Sequence, residues 1–121
     1  MASVFEATSG NLVGPATGGT VTQATSKSTA VTLNAESGQI TLDDAVLVAG
    51  GEVSFTVNND KITATDVVVC NHASAGAAGA YLVQANSIAA GSFKITVANV
   101  SSGPLGDPIV VNFVALKGAS S

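Results

Sequence analysis

Short runs of β-branched residues alternate with clusters of Gly, Asn, Asp and Ser along nearly the whole chain. In 52–58 the apolar residues fall at every second position, so Val53, Phe55 and Val57 share one face and Ser54 and Thr56 the other. A period of two marks a strand with one buried face. Residues 92–99 repeat the pattern. Comparable runs at 20–23, 30–34, 39–42, 66–71, 80–86 and 109–116 bring the predicted strands to eight, with turn residues between them. The stretch 66–71 is almost continuously apolar, which predicts a strand buried on both faces or central in its sheet. At Asp43-Asp44 the alternation stops, and a carboxylate capping a single helical turn is predicted, ended by Gly50-Gly51. No longer helix is expected. Eight strands at spacings of about 8–12 residues predict an all-β fold, an antiparallel β-sandwich or barrel.

Residues 1–19 read differently. Asn11-Leu12-Val13-Gly14-Pro15 and Gly18-Gly19 interrupt any regular element, although 3–7 could form one short strand. The expected organisation is an extended N-terminal arm over 1–19 and a β-sandwich domain over 20–121. Phe5 on such an arm either tucks onto its own domain or anchors into a neighbour.

Composition sharpens this picture. Hydrophobic residues make up 46% of the chain but aromatics only 4%. A core of Ala and Val gains little from each buried contact, so oligomerisation or docking is expected to supply more burial. The net charge is −4, and the four lysines (Lys27, Lys61, Lys94, Lys117) are scattered. They cannot form the basic track that replaces counterions on a phosphate backbone, so nucleic-acid binding is not expected. Cys70 is the single cysteine, which rules out an intramolecular disulfide, and its apolar run predicts a buried, inert thiol. Residues 1–10 lack a signal-peptide pattern, and no apolar run approaches the ~20 residues that span a bilayer. Synthesis in the cytoplasm and no membrane partner are the expectations.

The inventory of reactive groups is short: one His, one Cys, one Tyr, no Trp and no Arg. Cys70 and His72 would share one face of a strand, but side chains at i and i+2 stand about 7 Å apart, beyond hydrogen-bond reach. Two further zinc ligands of Cys or His type are missing. Asp43, Asp44, Asp60, Asp66 and Asp107 fall in predicted turns, without the spaced Asp/Asn-Gly loop of a calcium site, and turn formation or capping is their expected role. Neither Gly-rich piece opens a helix after a strand with a following Lys, so no phosphate cradle is predicted. Ser26-Lys27-Ser28 sets a hydroxyl beside an amine with no oxyanion-hole signature. No catalytic residue, cofactor or metal is expected, and the chain reads as a non-enzyme.

A resemblance adds a sharper expectation. It is carried by 19–34 (GTVTQATSKSTAVTLN), 37–42 (SGQITL), 53–59 (VSFTVNN), 64–69 (ATDVVV), 78–81 (AGAY), 91–95 (GSFKI) and 110–114 (VVNFV). Together these stretches resemble a family of tailed-bacteriophage capsid decoration, or cement, proteins with related β modules in phage fibres. The similarity covers roughly residues 18–117. It implies a jelly-roll-like β-sandwich that sits on the outer capsid surface of the virion as a homo-oligomer, a trimer more than a dimer. Its partner would be the major capsid protein, adjacent copies of which it would bridge and stabilise. The family has no catalytic motif to carry over. Contacts to the capsid or between copies are expected on the arm (Val4, Phe5, Leu12, Val13), on loop 74–79 (Ala77, Ala78) and at Tyr81. The alternative is a tail fibre or spike module that binds a host surface receptor.

Overall fold

The period-two runs do pair as strands, because each must bury one apolar face and satisfy its backbone groups laterally. The computed structural model describes residues 18–118. Among the described residues there are eight strands: β1 (Thr20–Thr22), β2 (Val31–Thr32), β3 (Ser37–Thr41), β4 (Glu52–Asn58), β5 (Val67–Ser74), β6 (Tyr81–Ala89), β7 (Ser92–Asn99) and β8 (Val110–Leu116). They form two four-stranded sheets, β1-β3-β8-β5 and β2-β4-β7-β6, packed face to face. The fold is an all-β sandwich.

Two expectations about pairing need correction. The sandwich is not wholly antiparallel: β1 runs parallel to β3 and β2 parallel to β4. Both parallel partners are very short, so each adds only a few ladder hydrogen bonds to the rim of its sheet. Strand β5 is also not central. It is the edge of its sheet, with Val68 buried but Val67 and Val69 exposed. A continuous apolar run normally signals burial on both faces; here one face of the run is left open.

The inner faces of β4 and β7 follow the predicted alternation. Phe55 and Val57 of β4, Phe93, Ile95 and Val97 of β7, and Val111, Phe113 and Ala115 of β8 are all buried. Phe93 and Phe113 meet across the layers with ring centroids 5.3 Å apart, a tilted contact of the kind aromatic pairs favour. The helical turn expected at 43–49 does not form. The Ala45 N–H donates to the Asp43 carboxylate at 2.8 Å. Leu47 then pairs in an isolated antiparallel bridge with Leu105, closed by backbone hydrogen bonds of 2.8 and 3.0 Å. A long-range pairing partner displaced a local helical one. Gly50 does end the segment, with φ at +75°, a conformation that glycine adopts without strain.

Polar side chains close each end of the sandwich. At the end that holds the start of β5, Asn59 is buried: its Oδ1 accepts from the N–H groups of Ala35 and Lys61, both at 3.1 Å. Asp66, on the same connection from β4 to β5, accepts from the Thr63 N–H (2.9 Å), the Thr63 hydroxyl (2.7 Å) and Lys117 Nζ (2.7 Å). Burial alone would raise the Asp66 carboxyl. The hydrogen bonds from Lys117 and Thr63 outweigh it and bring the group down from 3.8 to about 2. Because the folded carboxyl is the stronger acid, the unfolded chain binds more protons in acid. The clamp's contribution is therefore complete above about pH 5 and lost as pH falls through about 2. Asp66→Asn is expected to cost about 1–2 kcal/mol at pH 7, allowing for solvent screening of the half-exposed Lys117. Urea unfolding at pH 7 and pH 2.5 checks this: the gap between the two proteins must narrow at the lower pH.

Candidate interaction surfaces

The other end of the sandwich is organised by a buried lysine that sequence reading treated as one of four scattered charges. Gln23, just past β1, donates from Nε2 to the carbonyls of Lys27 (2.9 Å) and Thr29 (3.1 Å) and accepts from the Asp43 N–H (2.9 Å). The loop so shaped drives Lys27 inward until only 3% of it is exposed. Its ammonium donates to the carbonyls of Asp43, Ala45 (2.9 Å) and Asp107 (2.9 Å). Burial pushes the Lys27 amine down, against the pull of the Asp43, Asp107 and Asp44 carboxylates. Three donor protons meet three carbonyls, so the group ties together segments that are distant in sequence. Asn99 does similar work nearby, donating from Nδ2 to the carbonyls of Leu47 (2.8 Å) and Gly103 (2.9 Å).

Cys70 and His72 lie on the inward side of β5, opposite Phe113 and Val111 of β8. Burial pushes the Cys70 thiol up to about 11, so it is protonated and a poor nucleophile at neutral pH. The His72 Nε2–H donates to the carbonyls of Ser74 (3.1 Å) and Ala75 (2.5 Å), and its ring meets Tyr81 edge-on at 5.5 Å. The histidine pins the turn that leaves β5. Among the described residues, no group of three or more His, Cys, Asp or Glu side chains is placed to hold a metal ion.

The expected contact residues separate. Val4, Phe5, Leu12 and Val13 lie outside the described residues. Ala77 and Ala78 are exposed on the loop that carries the chain from β5 in one sheet to β6 in the other. Left-handed conformations at Ala75, Gly76 and Gly79 shape this loop. Tyr81 points inward rather than into solvent. It is 7% exposed, and its hydroxyl donates to the Asp107 carboxylate at 2.8 Å. Burial and that carboxylate push the phenol up to about 12. Gly18, where the described chain begins, lies beside Ser37 of β3, at the end of the sheet opposite to Ser74 and loop 74–79. An open groove of about 460 Å³ adjoins Gly18, floored by Gly38, Gln39 and Asn112.

The two outer faces differ in chemistry. On the β2-β4-β7-β6 sheet, Ser54 and Thr96 hydroxyls bond at 2.7 Å and Asn86 Nδ2 donates to Thr96 at 2.9 Å. On the other sheet, Val67, Val69 and Leu116 are about half exposed and Val67 lies directly opposite Leu116. The alternation places Val114 beside them on the same face. Sequence reading missed this apolar strip, because an unbroken Val run looks identical whether a second layer covers it or not. Comparisons with protein-family models, curated proteins and solved structures find no match to this chain.

Proposed function

We propose that the chain is a structural virion protein that decorates the outer surface of a bacteriophage capsid and stabilises it by bridging adjacent major capsid proteins. The observation that carries this reading is the surface just described. Its outward-facing groups suit contact with other polypeptides: an apolar strip at Val67, Val69 and Leu116 and a neutral loop at Ala77 and Ala78. Its polar residues, by contrast, are spent on holding the fold: Lys27, Asn59, Asp66 and Asn99 are buried and hydrogen-bonded to loops. The resemblance to capsid decoration proteins supplies the identity of the partner. A shell covered by many copies gains from each even when a single contact is weak, because the contacts act together.

Two measurements test the proposal. Quantitative mass spectrometry of purified particles is expected to find the protein in hundreds of copies; a few copies at the tail would instead make it a fibre module. Deleting residues 1–14 is expected to leave a folded β domain, with an unchanged far-ultraviolet circular dichroism spectrum, that occupies capsids poorly. Full occupancy by the truncated protein would remove the arm as the anchor.

A further inference from the structure

The two long sides of the sandwich are built in opposite ways. One side ends in β1 and β2, of 3 and 2 residues. Very short edge strands are one of the ways proteins blunt unpaired backbone. The other side ends in β5 and β6, of 8 and 9 residues, which lie against each other across the two layers. Among the described residues, no strand pairs with the outer edge of either. Two of the usual edge protections, charge and proline, are missing: residues 67–89 contain no Lys, Arg, Asp, Glu or Pro. Bulges interrupt the ladders only near the far ends, between His72 and Ser74 and between Asn86 and Ala89. This leaves 67–72 and 81–86 as regular edges. Large apolar side chains flank both, with Val67 54%, Val69 49% and Leu82 61% exposed.

From this we infer that the β5–β6 side is a self-association surface, on which a second copy of the chain pairs antiparallel about a two-fold axis perpendicular to the layers. One such axis sets β5 against β5 and β6 against β6, so both sheets continue from copy to copy. Charge selects this side for self-pairing. A chain of net charge −4 repels its own copies, and 67–89 is a long stretch where two copies can meet without opposing carboxylates. Strands β5 and β6 offer two edges of 8 and 9 residues for such pairing. An isologous pair also closes on itself, which caps edges that would otherwise template open-ended aggregation. The outcome is a two-fold dimer rather than the trimer implied by the resemblance, and it does not depend on capsid binding.

The experiment uses the full chain without particles. Sedimentation velocity from 1 to 200 µM is expected to show a species of twice the 11.8 kDa chain mass. Val69→Lys combined with Leu82→Lys places like charges across the axis on exposed positions. It is expected to weaken dimerisation by about 100-fold or more while leaving the circular dichroism spectrum intact. Thr22→Lys with Thr32→Lys, on the short-strand side, adds the same charge and is expected to leave the dimer unchanged. Hydrogen exchange in the dimer is expected to protect amides within 67–72 and 81–86 relative to the dissociated variant. A wild-type chain that stays monomeric at 200 µM overturns the inference, as does a trimer, or a dimer indifferent to the paired lysines. A monomer whose 67–89 amides become protected only on capsids would assign this edge to the coat protein, and self-pairing would be wrong.

Discussion

Replacing Lys27 with methionine is expected to lower the unfolding free energy by about 4 kcal/mol. Methionine keeps most of the apolar stem, so the change isolates the ammonium. Removing that group strands the carbonyls of Asp43, Ala45 and Asp107, which converge on Nζ from segments 16 to 80 residues away in sequence. A buried acceptor left without a donor costs about 1–3 kcal/mol, and here three lose theirs together. The loss should appear as a lower urea midpoint with an unchanged slope, since the surface exposed on unfolding stays nearly the same. A decrease under about 1 kcal/mol would mean that water reaches these carbonyls and that the lysine is not the staple of this end.

Phe93→Ala is expected to cost a further amount of similar size, about 3–5 kcal/mol. Phe93 is fully buried on β7 and contacts Phe113 of the facing sheet. In a chain with four Phe and one Tyr, the rings supply much of the thickness between layers that are otherwise filled by Val, Ile and Ala. Alanine would leave a cavity that stiff β-branched neighbours close poorly. For a domain with total stability of roughly 5–15 kcal/mol, such a loss approaches unfolding. Thermal melts of Phe93→Ala and Phe93→Leu distinguish cavity formation from general sensitivity, because leucine should cost far less. Equal costs for the two would point to ring geometry rather than volume.

Capsid occupancy and solution self-association probe different parts of the same surface. The β5–β6 side faces a second copy in the inferred dimer. The apolar strip at Val67, Val69, Val114 and Leu116 lies on the outer face next to that edge. Val67 and Val69 belong to both, so a lysine at position 69 can affect either contact. Leu82, on the other sheet, separates them: a charge there touches the edge without touching the strip.

How much of this was legible beforehand depended on the range over which each residue finds its partners. Strands β4 and β7 could be read directly, including which residues face inward, since alternation records the two environments of a half-buried strand residue by residue. β8 was legible as a strand, but its nearly unbroken apolar run does not mark the inward face. The 43–49 segment was misread because Asp43-Asp44 before an apolar run is a sound local signal for a helix start, while the bridge from Leu47 to Leu105 leaves no local trace. Strand β5 was misplaced for a related reason. Val67, Val68 and Val69 are equally apolar, and only the order of strands decides that the middle one is buried and its neighbours exposed.

Composition and periodicity were enough to determine an all-β fold, the eight strands of the described residues, a small-residue core and few groups able to do chemistry. These follow from side-chain size, charge and spacing, which are properties of single residues and near neighbours. Tertiary structure alone decided that Lys27 is an interior staple, that Tyr81 turns inward to Asp107, and that one flank is blunt while the other is long and uncharged. Each of those outcomes depends on which distant segments meet. A lysine is solvated or buried according to whether three carbonyls happen to converge on it, and a strand is an edge or central according to its place in the order of its sheet.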